Sequence, residues 1–409
     1  MKKALILAAV AAVALSACSK NEILETVNTV PEEAAIGFSN YTPKSLTKVN
    51  NTYISGTSLV ADKQFAVYAW KTDYDNFLTA NPGAPAFMNP AVVTWANNNN
   101  EGANNTYSPK KYWPSGDTPA NLSFIAYYPY GGAGITAPTF GSGDPFVASG
   151  VGTYAFTAQN TPAAMVDFCV ADVVNDQVYA NTNATSGDNN KGTVNFIFKH
   201  QLTKVQFKFK TDNEDANTTV QLVDAKLYNI QTVGTLTATY AQNASPAVNA
   251  LGTTTTTWSD QAIAGTPVVY DVTLNGNDPK VGSEIVLTTA AQPAIAGTEN
   301  PATDLFMMVP QTMIAPTFST TPNIPANLSS NAQYLLVTWD VITDGVKTTN
   351  TKALYLDQCK NEAGTATVDI DWVKNNFVTY TITIGPKPIL FTAKATSWDA
   401  EQNGYYNVN

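Results

Sequence analysis

Apolar and polar residues alternate along short runs of this chain, the first of them at Ile36-Gly37-Phe38. A period of two puts successive side chains on opposite faces of a β-strand, so each run predicts a strand with one buried and one solvent-facing side. The other runs contain Phe65, Val67 and Ala69; Leu122, Phe124 and Ala126; Val194, Phe196 and Phe198; Val205, Phe207 and Phe209; Val220, Leu222, Ala225 and Leu227; Leu335, Val337 and Trp339; and Tyr380, Ile382 and Ile384. Clusters of Asn, Gly, Pro and Thr separate them, which predicts an all-β fold of antiparallel β-sandwiches.

Two polar stretches of low complexity interrupt the strand pattern, at residues 96–106 and 179–191. The second precedes a strong pair of strand patterns at 193–210, so it is the better candidate for a domain boundary. We therefore predict two tandem domains, an N-terminal β-sandwich at 35–190 and a C-terminal β-sandwich at 191–409, each large enough for its own core.

The first seventeen residues have the pattern of an export signal. Two lysines precede an apolar stretch at residues 4–15, which is too short to cross a membrane. Leu15-Ser16-Ala17-Cys18 then resembles the lipobox of bacterial lipoproteins. The resemblance implies cleavage between Ala17 and Cys18, a diacylglycerol on Cys18 and a third acyl chain on the new N-terminus, which would anchor the protein firmly. An ordinary signal peptide with an incidental Cys18 is the alternative, and residues 18–34 are predicted to form an acidic tether.

Charge and cysteine content narrow the expected partners and compartment. The formal net charge is −10 and all 22 basic residues are lysine, which argues against nucleic acid as a partner. Beyond the lipobox there are two cysteines, Cys169 and Cys359. Export would permit a disulfide between them, but two buried free thiols are the interpretation that we favour.

Few residues suggest chemistry. The single histidine, His200, lies in an alternating run, where a structural role is more common than a catalytic one. The cysteines and the histidine do not have zinc-site spacing, and no pair of acids has a distinguishing glycosidase context. We expect no enzyme activity, no cofactor and no metal. The 19 tyrosines and 7 tryptophans leave a glycan-binding face open, although aromatic side chains in β-sandwiches mostly fill the core.

Five sets of segments occur in order along the chain. They are the lipobox with Ile36-Gly37-Phe38-Ser39 and Thr47-Lys48; Phe65-Ala66-Val67-Tyr68-Ala69; Lys111-Tyr112-Trp113-Pro114 with Leu122-Ser123-Phe124-Ile125-Ala126-Tyr127-Tyr128-Pro129; residues 166–171 with Phe198-Lys199-His200-Gln201-Leu202-Thr203-Lys204-Val205; and Val309-Pro310-Gln311 with residues 380–384 and a terminal strand through Trp398. Together they resemble the fimbrillins of Bacteroidales, the subunits of type V pili, nearly from end to end. The third set is the most specific.

The resemblance implies two transthyretin-like domains and polymerisation by strand exchange. In such a mechanism a trypsin-like protease cuts the lipidated precursor, its first strand leaves with the lipid, and a strand of a neighbouring subunit fills the groove. Here the lost strand would span residues 34–41, with Ile36 and Phe38 on its buried face. The cut would follow Lys44 or Lys48, and an arginine-specific protease is excluded because the chain has no arginine. A solvated loop that is never cut is the alternative.

The resemblance also implies a donor strand near the C-terminus. It would lie within residues 387–409, where Ile389, Phe391, Ala393 and Ala395 alternate with polar or outward positions. A native last strand of the second domain is the other interpretation. The leading function is thus a structural fimbrial subunit that supports adhesion, and its partners are other fimbrillin subunits, the protease and, before processing, the outer membrane. The alternative is a surface glycan-binding lipoprotein.

Overall fold

The computed structural model describes residues 34–39, 64–72, 87–94, 105–115, 121–140, 151–179, 192–241, 252–263, 267–274, 277–291, 305–316, 332–368, 370–385 and 389–397. The strands are β1 (Gly37–Ser39), β2 (Gln64–Thr72), β3 (Met88–Thr94), β4 (Asn121–Tyr128), β5 (Thr139–Phe140), β6 (Val151–Thr157), β7 (Cys169–Ala171), β8 (Val174–Gln177), β9 (Thr193–Asn195), β10 (Phe198–His200), β11 (Thr203–Thr211), β12 (Thr218–Tyr228), β13 (Val233–Ala241), β14 (Thr253–Ala262), β15 (Tyr270–Asp271), β16 (Ile285–Val286), β17 (Leu305–Met308), β18 (Tyr334–Thr343), β19 (Val346–Tyr355), β20 (Asn376–Ile384) and β21 (Leu390–Ser397). Short 3-10 turns occur at Pro162–Ala164 and Leu356–Gln358. Within these residues no helix has the length and apolar character needed to span a membrane. The predicted all-β fold is confirmed.

Hydrogen bonds arrange the described strands into five sheets. Their strand orders are β1-β9; β10-β7-β4-β2-β3, with β8 also on β4; β14-β13-β6-β5; β17-β11-β20-β21; and β15-β12-β18-β19, with β16 also on β12. Most pairs are antiparallel, as the sequence predicts. Two pairs are parallel: β1 with β9, where Gly37 faces Thr193, and β11 with β20, where Lys204 faces Phe377. Parallel pairing requires a crossover between the two strands, and in both cases many intervening strands form that crossover.

Strands β2 and β4 lie in the middle of their sheet and are buried on both faces. Every residue of 65–70 and of 122–128 is buried. Phe65 and Val67 join an apolar cluster that includes the first strand, whereas Tyr68 joins a second cluster that extends into the C-terminal half. Tyr127 of β4 meets Tyr154 of β6 edge to face at 5.5 Å, because the β13-β6 sheet covers this second face. The expectation of a solvent-facing side was therefore wrong for β2 and β4.

The C-terminal strands match the predicted alternation more closely. In β11 the side chains of Val205, Phe207 and Phe209 are buried, and in β20 those of Tyr380, Ile382 and Ile384 are buried. The rings of Phe207 and Tyr380 stack at 5.2 Å on the inner face of this sheet. Phe306 of the same sheet meets Tyr270 of the β15-β12-β18 sheet at 5.9 Å, so the two sheets pack face to face as a sandwich.

Strand pairing crosses the predicted division at residue 190. β9 and β10 follow this position but pair with β1 and β7, which precede it. In addition, β6 pairs with β13 along seven residues. Residues 193–200 thus complete the sheets of the N-terminal half. The division into domains at 35–190 and 191–409 stays a prediction.

Both cysteines of the described part are buried, and neither forms a disulfide. Cys169 and Cys359 are each 0% exposed to solvent. Cys359 lies against the carbonyl oxygen of Val368 at 3.4 Å, far along the chain from the β7 position of Cys169. This agrees with the interpretation that we favoured from the sequence.

Candidate strand-exchange groove

The first strand lies between two backbone partners. On one side β1 pairs in parallel with β9, three residues against three. On the other side the N–H of Ile36 donates to the carbonyl of Lys111, and the N–H of Trp113 donates to that of Ala34, both at 2.9 Å. Removal of residues 34–39 would expose a hydrogen-bonding edge on β9 and another on the 111–113 segment, the condition under which a strand from elsewhere can add.

Two side chains of the same segment fill apolar pockets beneath it. Ile36 is 0% exposed and Phe38 is 1% exposed. The ring of Phe38 contacts those of Tyr107, Phe196 and Phe124, with centroid separations of 5.2, 5.9 and 6.0 Å. Burial of a side chain of this size contributes roughly 1.5–3 kcal/mol to stability. We call the two edges together with these two pockets the first-strand groove.

Polar side chains on one wall of the first-strand groove hold the backbone of β1. The hydroxyl of Tyr107 donates to the carbonyl of Ile36, and the Nδ2 of Asn105 donates to that of Phe38, each at 2.9 Å. Burial raises the pKa of Tyr107 above its usual value, against a smaller lowering by its hydrogen bond with the backbone of Lys111. The hydroxyl therefore keeps its proton at neutral pH and remains a donor.

Substitution Tyr107→Phe tests this polar contact. The ring and its packing on Phe38 are kept, while the buried carbonyl of Ile36 loses its hydroxyl donor. Loss of such a bond costs about 1 kcal/mol. We expect a lower urea midpoint for the precursor and faster release of the first strand after proteolysis. Tyr112→Phe is the matched control, because Tyr112 is 48% exposed; equal effects of the two variants would contradict the role of Tyr107.

The two walls of the first-strand groove are also tied to each other. The indole Nε1 of Trp113 donates to the carbonyl of Gly192 at 2.9 Å, and the Trp113 ring meets Phe124 at 5.9 Å. Gly37 sits close to the opposite wall, since a Cβ on this residue would lie 2.8 Å from the Thr193 hydroxyl oxygen. Glycine thus lets the first strand approach β9 closely.

The groove acquires a family context from sequence comparison. A sequence model described as fimbrillin-like matches residues 47–398 of the 409-residue chain. The chain belongs to the fimbrillin-like family. The matched range begins after the first-strand segment, so the family match covers the walls of the first-strand groove but not residues 34–39 that fill it.

Individual proteins that are similar to this fimbrillin-like chain share low sequence identity with it. It is 26% identical over 235 residues to the fimbrium subunit Fim1C of Phocaeicola vulgatus, an alignment covering 54% of this chain and 55% of the relative. The alignment thus spans about half the length of that curated relative. A crystal structure of a fimbrial protein from Bacteroides vulgatus shares 19% identity and a TM-score of 0.49, covering 89% of this chain and 99% of the other. For a putative cell adhesion protein from Bacteroides uniformis the values are 15%, 0.44, 90% and 98%.

The predicted site residues fall into three groups. Ile36 and Phe38 lie in the first-strand groove, buried as expected. The lipidation and signal-cleavage residues, Ala17 and Cys18, and the two candidate cleavage lysines, Lys44 and Lys48, lie outside the described residues. The candidate donor residues lie in or beside β21.

In this fimbrillin-like chain, β21 is the last strand of the β17-β11-β20-β21 sheet and pairs antiparallel with β20. Phe391 and Ala393 are buried, and the Phe391 ring stacks on Tyr380 at 5.4 Å. Ile389 is partly buried and Ala395 is exposed, so the buried face ends before the end of the strand. β21 thus occupies the position of a native last strand; its use as a donor stays a prediction.

Sequence reasoning missed the side chains that hold the first strand. Tyr107 and Asn105 lie 71 and 67 residues from the carbonyls that they bind. Trp113 was noted only as part of a motif, and its contacts now give that motif a structural reason. The available signal in the sequence was Tyr107, an aromatic residue at the end of a polar, Asn-rich stretch, because a large aromatic side chain usually packs against apolar neighbours.

Proposed function

We propose that this chain is a non-enzymatic structural subunit of a fimbrium, exported as a lipoprotein precursor and assembled at the cell surface by strand exchange. The family supports the fimbrial role, and the lipobox motif ending at Cys18 supports export and lipidation. The first-strand groove supports the assembly mechanism. In this proposal the lipid is a temporary tether that leaves with the first strand, and adhesion is a property of the resulting fibre.

The observation that carries the mechanism is the way in which β1 is attached. Three residues pair with β9, two pockets receive Ile36 and Phe38, and one edge bonds to residues 111–113. This short segment supplies a small, separable share of the core, yet its loss would uncover apolar pockets and two backbone edges. A replacement strand restores both kinds of contact, which gives strand exchange its driving force.

The proposed trigger is proteolysis after Lys44 or Lys48. Both lysines follow the first strand and precede β2, so a cut separates β1 from the rest of the chain without breaking any described strand. Neither is followed by proline. Because the chain contains no arginine, the processing enzyme in this proposal accepts lysine.

The proposed donor is the segment around β21 of a neighbouring subunit. Ile389-Leu390-Phe391 repeats the Ile-x-Phe spacing of Ile36-Gly37-Phe38, so its outer side chains would suit the two vacated pockets. The middle residue differs: Leu390 would take the place of Gly37, and the side chain of Thr193 would have to turn away to admit it. The donor strand must also detach from β20 before it can bind elsewhere.

The proposal is tested with purified precursor, trypsin and a labelled synthetic peptide of residues 387–409. We expect the peptide to bind only after the first strand has been cut off and released, and N-terminal sequencing to give Ser45 or Val49. A peptide carrying Ile389→Asp and Phe391→Asp is the control and should not bind. If the cut subunit without its first strand neither binds the peptide nor forms multimers, the strand-exchange mechanism is wrong.

The alternative role as a glycan-binding lipoprotein has less support. Its motivation was the aromatic content, but three of the five tryptophans in the described part fill the core. Trp70, Trp113 and Trp372 are each no more than 3% exposed. A surface platform for sugar rings requires exposed aromatic faces, so these residues do not supply one.

A further inference from the structure

Three side chains with metal-binding donors converge at the outer edge of the six-stranded sheet. They are Asp167, Cys169 of β7 and His200 of β10, and their donor atoms all lie within 4.8 Å of one another. The antiparallel pairing of β7 with β10 places His200 directly opposite Cys169. Asp167 precedes Cys169 by two residues. The register between β7 and β10 thus brings the three side chains together.

The donor atoms converge on one imidazole nitrogen. His200 Nδ1 lies 2.9 Å from both carboxylate oxygens of Asp167 and 3.6 Å from the Sγ of Cys169. A tetrahedral Zn²⁺ with bonds of about 2.3 Å to sulfur and 2.0–2.1 Å to nitrogen holds those two atoms roughly 3.6 Å apart, as found here. The corresponding nitrogen–oxygen separation is about 3.4 Å, so the carboxylate would have to move outward by about 0.5 Å.

The surroundings of the cluster suit a bound cation. Cys169 is 0% exposed and His200 is 2% exposed, so two ligands are shielded from competing water. The Asp167 side chain keeps 22% of its surface exposed, which leaves a path for entry and a position for a water ligand.

The same geometry argues against a nucleophilic triad. A cysteine–histidine–aspartate relay uses both imidazole nitrogens, one toward the thiol and one toward the carboxylate. Here the thiol and the carboxylate share Nδ1. A hydrogen on Nδ1 would point into the space between this nitrogen, the thiol sulfur and the carboxylate. A metal ion bound by the three groups would occupy the same space.

We propose that Asp167, Cys169 and His200 form a binding site for a divalent transition-metal ion, with Zn²⁺ the best fit. A thiolate and an imidazole favour Zn²⁺ over the hard cations Ca²⁺ and Mg²⁺, which prefer all-oxygen sites. The ion would clamp β7 to β10. Since β10 continues from β9, the clamp would also steady one wall of the first-strand groove, a consequence that rests on the proposed function, whereas metal binding does not.

Cobalt binding tests the site, because tetrahedral Co²⁺ bound to a thiolate gives a charge-transfer band and strong visible bands. We expect the purified full chain, stripped with chelator, to show these bands up to one equivalent of Co²⁺ and to lose them when Zn²⁺ is added. Cys169→Ser should abolish the charge-transfer band. Cys359→Ser, the other buried thiol, is the matched control and should keep it.

Asp167→Asn distinguishes a direct loss of Co²⁺ binding from a loss caused by misfolding. Its side chain is partly exposed, so we expect an unchanged circular dichroism spectrum with at least about tenfold weaker Co²⁺ binding. A wild-type chain without the thiolate band overturns the site, as does a band that survives Cys169→Ser. Failure of strand exchange with the cobalt bands intact would count against the proposed function alone.

Discussion

Substitution Phe38→Ala is expected to lower the free energy of unfolding of the intact precursor by about 3–5 kcal/mol. The ring is 1% exposed and contacts three other aromatic rings. Its removal therefore costs both the transfer free energy of the side chain and a cavity among rigid neighbours. Urea or guanidinium denaturation measures the loss as a lower midpoint with an unchanged slope.

Two comparisons locate that loss in the first-strand groove. Tyr112→Ala alters an exposed aromatic residue beside the same strand, and we expect a change within about 0.5 kcal/mol. After trypsin has removed the first strand, wild-type and Phe38→Ala subunits should unfold at the same midpoint. A loss below about 1 kcal/mol in the uncut Phe38→Ala precursor would mean that β1 contributes little to the core and can leave unaided.

Alternation predicted the strands and the burial of Ile36 and Phe38, for a plain physical reason. Ile36 and Phe38 are two residues apart, so both must lie on one face of any strand that contains them. The same rule found Val205, Phe207 and Phe209 in β11. It does not specify a partner, and this is why the parallel pairs of β1 with β9 and of β11 with β20 were not foreseen.

Burial on both faces was a second feature that the predicted alternation missed. In β4 the residues between the expected core positions include Ile125 and Tyr127, which are themselves apolar. A continuous apolar run of this kind indicates a central strand covered on both sides. The expectation of a solvent-facing side did not follow from that run. The covering sheet combines β5 and β6, which follow β4 closely, with β13 and β14, which lie more than a hundred positions later in the chain.

Long-range contacts explain what was missed at both candidate sites. The walls of the first-strand groove come from residues 105–113 and β9, far from residues 34–39 in sequence. Similarly, Asp167 and Cys169 meet His200 only because β7 and β10 pair. Their sequence spacing does not resemble a zinc motif, so the expectation of no metal site followed from spacing, whereas the proposal follows from register.

Simultaneous substitution of Lys44 and Lys48 by glutamine is expected to abolish multimer formation by trypsin-treated precursor. Intact mass first has to show that this variant is uncut between β1 and β2, after Lys63 as well. In the uncut variant the first strand stays covalently attached and its pockets stay filled. A donor strand from another subunit would then compete with the attached first strand. The attached strand has the higher effective concentration at the groove and therefore stays bound. Size-exclusion chromatography and unheated gel electrophoresis report the outcome, with wild-type precursor as the positive sample.

Lys63→Gln is the matched control for this double substitution. Lys63 lies in the same interval but directly precedes β2, which begins at Gln64, so it is not a proposed cleavage site. We expect this variant to assemble like wild type, and each single lysine variant to assemble through cleavage at the remaining site. Multimers from the uncut double variant would show that the first strand can be displaced without proteolysis, which would remove the protease from the mechanism.

The double variant with Lys44→Gln and Lys48→Gln also distinguishes a temporary lipid anchor from a permanent one. If the lipid on Cys18 departs with the first strand, cells that produce the wild-type chain should shed subunits whose N-terminus is Ser45 or Val49. Cells with Lys44→Gln and Lys48→Gln should instead retain an acylated chain in the membrane fraction, because the strand that carries the lipid stays attached. Intact mass separates these species directly, since only the second retains residues 18–44 and the acyl chains. Equal retention of the wild-type and variant chains would leave the lipid as a permanent anchor and contradict the release step.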